Sequence, residues 1–219
     1  MSNTRSSIGP PRDHVAALVL CGGQSRRMGS DKSQLESGGQ TLLCKTASLM
    51  ERVAGTVWLA CGSEERYADL GYRLVLDKHP EGGPLEGLRA GLEELDREWL
   101  LAVACDMPAL EEKHFAPLLD AAQEADVDLI HFSGVEGKEP LCALYRRTVL
   151  SAVRSSLENG FHRMDSFWAG QREDGQPLVL RALAKNPEWV GRENPFQNVN
   201  TPEDLNRSSW VPPASEESA

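Results

Sequence analysis

The sequence predicts an α/β protein, a three-layer doubly wound fold with helices on both faces of a mostly parallel sheet. Two observations carry this expectation. The strand candidates are apolar throughout instead of alternating, and segments with apolar residues at helical spacing separate them. A strand that is apolar at every position has no solvent side, which suits a parallel sheet covered on both faces. Right-handed crossovers then place the helices in two outer layers.

The elements follow in order. "HVAALVLC" (14–21) reads as the first buried strand, and "TLLCKTASLMERV" (41–53) as a helix. "TVWLAC" (56–61) is the second strand, followed by a short polar helix candidate, "SEERYADL" (63–70). "RLVLD" (73–77) is the third strand, and "PLEGLRAGLEEL" (84–95) the helix after it. "WLLAVACD" (99–106) is the fourth, with Pro108 turning the chain out of the sheet before the helix "EEKHFAPLLDAAQEA" (111–125). "VDLIHFS" (127–133) and "PLCALYRR" (140–147) add two strands, and "TVLSAVRSSLEN" (148–159) a helix. The ends, 1–13 and 208–219, are rich in Ser and Pro without a periodic apolar face, so they read as flexible tails around one domain at 14–207.

The 219 residues carry a formal net charge of −10, which argues against a general nucleic-acid or anionic-membrane surface. Any positive site must therefore be local. The first residues lack the apolar core of a signal peptide and no stretch approaches membrane-spanning length, so a cytoplasmic protein is expected. The five cysteines are scattered, with no C-x-x-C pair and an odd count, which suits reduced thiols. Cys21, Cys61 and Cys105 fall at predicted strand ends, where they read as small buried hydrophobes.

A doubly wound sheet binds ligands at the carboxyl ends of its strands. Those ends carry Cys21-Gly22-Gly23, Cys61-Gly62, Asp77 and Cys105-Asp106. The loop "LCGGQSRRMGSDKSQL" (20–35) fits neither the P-loop nor the dinucleotide-binding spacing. Gly22 and Gly23 nevertheless permit a tight turn whose amides can point at a phosphate, and Arg26, Arg27 and Lys32 could neutralise much of a triphosphate. A solvated basic turn is the other reading of the same residues. Asp106, ending a very apolar strand, is placed to bind Mg2+ or to cap the next turn. Asp77 could accept from a base or a ribose, or be a solvated loop residue. The glycines of "GGPLEGL" (82–88) let backbone amides at a helix start face a base or a phosphate. In "NVNTPEDL" (198–205) Thr201 and Asp204 form a capping box around Pro202, and Asn198 and Asn200 point to one side of an extended segment.

In this order, "LCGGQSRRMGSDK", "GPLEGL", "CDMP" and "NVNTPEDL" resemble the molybdenum cofactor guanylyltransferases, and more broadly the nucleotidyltransferases that share the first signature. The likeness spans about residues 15–206 and implies a Rossmann-like nucleotidyltransferase fold. It implies Mg2+-dependent transfer of GMP from GTP to the terminal phosphate of a molybdopterin-type cofactor, with release of pyrophosphate. Proteins that deliver the cofactor or receive the product would be further partners. Carried over by position, Leu20, Cys21 and Gly22 contact the nucleotide through the backbone, Lys32 meets its phosphates, Asp77 helps read guanosine and Asp106 holds Mg2+. "KEPLCALYRR", with Pro140, would lie in a loop on the pterin side, and Asn198 and Asn200 near the reacting phosphates or the pterin.

Cys61 departs from the asparagine expected after the second strand, and a thiol cannot replace an amide's donor and acceptor, so contact there would be through the backbone. The attacking phosphate is already anionic near neutral pH, so the chemistry calls for positioning and charge neutralisation rather than a strong base. The absence of a convincing His or Ser triad fits that. A cytidylyltransferase, a sugar- or polyol-phosphate nucleotidyltransferase, and a non-catalytic nucleotide-binding protein are the alternatives.

Overall fold

Six consecutive buried residues, Val15–Leu20, form the central strand β1, which pairs in parallel with a neighbour on each side. The computed structural model describes residues 12–22, 33, 35–37, 39–123, 126–189, 194–201 and 204. After β1 come the small antiparallel pair β2 (Glu36–Ser37) and β3 (Gln40–Thr41), then helix α1 (Leu42–Ala54). Thr41 caps α1 by accepting from the Cys44 amide at 3.2 Å. β4 (Thr56–Ala60), β5 (Arg73–Val75), α2 (Gly83–Glu94) and β6 (Trp99–Ala104) follow. The chain continues with α3 (Ala116–Ala121), β7 (Leu129–Gly134), β8 (Gly137–Arg146), α4 (Leu150–Glu158) and β9 (Leu180–Ala184).

The main sheet has the order β5-β4-β1-β6-β8-β7-β9, and β8 alone of these seven runs against its neighbours. The expected three-layer, mostly parallel α/β architecture is therefore the one found. Alternate residues of each strand enter opposite cores: Ala17 and Val19 meet Leu43, Ala47 and Met50 of α1, whereas Ala16 and Leu18 meet Leu85, Leu88 and Leu92 of α2. The chain leaves β1 for β4 on one side and returns to β6 on the other, so strand order reverses between β1 and β6. That switch point opens a crevice at their carboxyl ends.

Several local expectations are corrected. The segment 63–70 is not an α-helix; only Ala68–Leu70 forms a 3-10 turn, and Tyr67 before it has a left-handed φ of 65°. The helix expected at 111–125 is a 3-10 turn at Glu112–His114 followed by the shorter α3, with Pro117 in its first turn. The strand expected at 140–147 is present as β8, which starts earlier, so Lys138–Arg146 of "KEPLCALYRR" are strand and not the loop that the resemblance implies; Pro140 sits at a register shift opposite His131 and Phe132. A proline removes one ladder donor, and a bulge is where a sheet tolerates that. β9 was not expected at all. Residues 1–11 and 208–219 of the expected tails lie outside the described residues, whereas Arg12–His14 form a 3-10 turn. Among the described residues no helix is long and apolar enough to cross a membrane.

A buried carboxylate that sequence reading overlooked ties the far edge together. Asp128 accepts from Arg172 Nε at 2.8 and 2.9 Å, from the Val179 amide at 2.8 Å and from Thr148 Oγ1 at 2.5 Å. Burial pushes its carboxyl up, but these donors outweigh that and hold it below the usual range.

Candidate active site

Each strand that ends at the switch point contributes a backbone turn. Past β1, the amides of Cys21 and Gly22 both donate to the Ala60 carbonyl of β4, at 3.0 and 2.8 Å. Those two amides are therefore spent on the sheet, so of the glycine pair expected to face a phosphate the Gly22 amide does not. What Gly22 provides is close approach: a Cβ there would lie 2.5 Å from the Gly62 nitrogen and 2.9 Å from the Cys61 carbonyl carbon. On the other side, the Cys105 amide donates to the Leu20 carbonyl at 3.3 Å, joining the ends of β1 and β6.

Gly23, Arg26, Arg27, Asp31 and Lys32 lie outside the described residues. The residue after Lys32, Ser33, is buried and its hydroxyl hydrogen-bonds that of Tyr67 at 2.5 Å.

Between the ends of β1, β4 and β5 lies a cleft of about 490 Å³, lined among others by Gly22, Cys61, Gly62, Arg66, Asp77 and Gly83. Five of these six positions follow from the sequence, and Arg66 does not. Arg66 donates to the Cys61 carbonyl at 2.8 Å and lays its guanidinium over the Tyr67 ring, bringing a cation to the cleft wall. The Cys61 side chain is buried, with its sulfur 3.4 Å from that of Cys21. The Cys61 thiol's hydrogen bond and burial push the Cys21 thiol far up, so the pair is neutral and packs like small hydrophobes.

Asp77 follows β5, and its amide donates to the Gly62 carbonyl at 2.9 Å. Its Oδ1 is buried with no hydrogen-bond donor among the described residues. Burial first, and the nearby Glu86 charge second, push its carboxyl up to about 6, with Arg89 opposing. A carboxylate held against its preference in a cleft is a functional-site signal.

Asp106 stands one residue beyond Cys105, half-buried, with one oxygen enclosed. Its carbonyl accepts from the Val199 amide at 2.8 Å, which draws the 198–200 segment to the same edge. Val199 is buried, and Asn198 and Asn200 on either side of it are exposed, as their spacing predicts. The expected capping box is present: Asp204 N donates to Thr201 Oγ1 at 3.0 Å, and Thr201 N to Asp204 Oδ2 at 3.1 Å. Pro140 reaches this edge too, because Cys142 pairs with Val103 and antiparallel β8 runs from there past the end of β6.

Asp106 is a hard oxygen donor of the kind Mg2+ prefers, and Mg2+ needs only one or two protein carboxylates when phosphates and water complete its shell. Among the described residues no group of three or more His, Cys, Asp and Glu side chains is arranged to hold a metal.

The pattern of a family described as "MobA-like NTP transferase domain" matches residues 17–185. A probable molybdenum cofactor guanylyltransferase of Synechococcus elongatus is 31% identical over 201 residues, covering 87% of this chain and 96% of that protein. The crystal structure of molybdopterin-guanine dinucleotide biosynthesis protein A from Archaeoglobus fulgidus superposes with a TM-score of 0.69 at 20% identity, covering 88% of this chain and 95% of the other. A Mycobacterium tuberculosis protein solved in complex with manganese has a TM-score of 0.57 at 15% identity, covering 89% and 97%.

Proposed function

The chain belongs to the MobA-like NTP transferase domain family, and we propose that within it the protein transfers GMP from GTP to the terminal phosphate of molybdopterin or molybdenum cofactor in the cytoplasm. One observation carries the reading. The loops bearing Gly22, Cys61-Gly62, Asp77 and Asp106 open on one sheet edge, and the segment with Asn198 and Asn200 is tied to Asp106 there.

The cleft beside Gly22 takes the nucleoside. Asp77 accepts from N–H groups on the guanine edge, and as a base-reading carboxylate it must be ionised, which holds above about pH 6. Cys61 and Gly62 contribute backbone only, since the Cys61 sulfur is turned toward Cys21. Leu20, Cys21, Gly22 and Gly23 shape the turn over which the nucleotide lies. Arg26 and Lys32 neutralise its phosphates.

An oxygen of the pterin's terminal phosphate bonds to the α-phosphorus of GTP. The bond from that phosphorus to the bridging β-phosphate oxygen breaks, and pyrophosphate leaves with the electron pair. The nucleophile is already ionised, so no residue need remove a proton. Asp106 holds Mg2+, which when bound supplies charge neutralisation for the phosphates brought together. Pro140, Asn198 and Asn200 form the acceptor side and orient the pterin phosphate.

The test is pyrophosphate release from GTP, CTP, ATP and UTP, with and without molybdopterin, in Mg2+ and in Mn2+. GTP should be strongly preferred and release should need the pterin. A preference for CTP would make the protein a cytidylyltransferase, and binding without release a nucleotide-binding protein.

A further inference from the structure

The site leaves one costly feature unexplained. Helix α2 buries Glu86 completely, on a charged stripe shared with Arg89 and Glu93 beside the face of Leu85, Leu88 and Leu92. Burying a charge costs several kcal/mol, and an apolar residue of similar volume generally serves stability as well. Glu86 does not line the cleft of Gly22 and Asp77. Its bonds show what it holds.

β5 ends at Val75, so the amides of the following turn lose their sheet partners. The Lys78 and His79 amides instead donate to Glu86 Oε1 at 3.0 and 3.1 Å. Asp77, just before them, is fixed through its own amide to Gly62. The turn carrying Asp77 is thus gripped on both sides. Arg89 forks onto Glu86, with Nε to Oε2 at 2.8 Å and the terminal nitrogen to Oε1 at 2.6 Å. The other Arg89 nitrogen meets Glu93 at 2.6 Å, and Glu93 receives Lys78 Nζ and Arg154, each at 2.8 Å. The network closes on itself, since Lys78 is held through its amide by Glu86 and through its side chain by Glu93. The next residue, Gly87, lets α2 pack closely on the strand ends: a Cβ there would lie 2.8 Å from Leu20 Cδ2 and 3.3 Å from the Ala60 Cβ.

We propose that Glu86, locked by Arg89, is a positioning residue that sets where the Asp77 carboxylate stands in the nucleotide cleft and thereby sets base selectivity. This rests on Asp77 as the base-reading group. The charged groups facing Asp77 are Glu86 and Arg89 of α2, Glu81 of the turn before it, and Glu64 and Arg66 after β4. Removing the Glu86 charge leaves Arg89 facing Asp77, so Asp77 should hold its proton less tightly.

The experiment compares wild type, Glu86→Gln and Glu86→Ala by calorimetry with four nucleoside triphosphates, and by NMR titration of the Asp77 carboxyl carbon without nucleotide. Glu86→Ala should lose roughly tenfold or more affinity for the nucleotide that wild type prefers, with little change for the others. Glu86→Gln, whose amide oxygen still accepts from Lys78 and His79, should regain most of that affinity while its Asp77 midpoint falls below about 6. Equal losses for all four nucleotides, or an unmoved Asp77 midpoint, would overturn the proposal. If Glu86→Ala does not fold, Glu86→Gln and its titration decide. A wild type that prefers another base defeats the guanylyl reading, while the Glu86 effect is still measured on the base preferred.

Discussion

Asp77→Asn should make the protein more stable at neutral pH while it loses its nucleotide. The cause is the position of the carboxyl, with one oxygen enclosed and Glu86 close by, which raises it from 3.8 to about 6. A group held above its unfolded value binds more protons in the native state. Native stability therefore falls as pH rises from about 4 to about 6, and the full cost is present above that. Two pH units convert to about 3 kcal/mol, which solvent reaching through the open cleft reduces to about 1–2 kcal/mol. Asparagine keeps the shape and removes the charge. Urea unfolding followed by tryptophan fluorescence, with Trp58, Trp99 and Trp168 buried as reporters, measures both proteins from pH 4 to 7.5. Their stabilities should coincide near pH 4 and separate by that amount above pH 6. A variant less stable than wild type at pH 7.5, or a difference independent of pH, would refute this account of Asp77.

Asp106→Ala should abolish pyrophosphate release while circular dichroism and unfolding midpoint stay unchanged; retained turnover would refute its metal role. Lys32→Ala should weaken GTP binding at least about tenfold, the scale of one lost charge-assisted phosphate contact, read by calorimetry. Gly22→Ala forces a methyl against the Gly62 and Cys61 backbone and should destabilise by about 1–3 kcal/mol in urea unfolding, with nucleotide affinity falling as well. Asp128→Ala strips the partner from Arg172, Thr148 and the Val179 amide and should cost about 3 kcal/mol by the same assay.

The sheet was legible because its strands have no polar side to hide. The runs around Val15–Leu20 and Trp99–Ala104 leave no alternative to burial on both faces, and with helices between them a parallel sheet follows. β9 escaped because Leu180–Ala184 is a largely exposed edge strand whose identity comes from pairing with β7. The strand from Pro140 was legible in its apolar run, and the register shift opposite Pro140 is what lets β8 hold a proline. At the site, Cys21, Cys61, Asp77 and Asp106 could be placed because strand ends and a switch point follow from topology. The tasks of the backbone amides could not, since the Ala60 carbonyl that takes those of Cys21 and Gly22 comes from a different strand. Glu86 was hidden for a similar reason. The i,i+3 pair Glu86 and Arg89 in α2 was the available signal, but the Lys78 and His79 amides complete its meaning only in three dimensions.

Guanylyl transfer is read directly in a single-turnover reaction of the purified protein with molybdopterin and GTP labelled at the α-phosphorus. The label should appear in a guanine dinucleotide of the pterin while unlabelled pyrophosphate is released, and Asp106→Ala should transfer none. Label recovered as free GMP, or transfer from CTP in preference to GTP, would contradict guanylyl transfer.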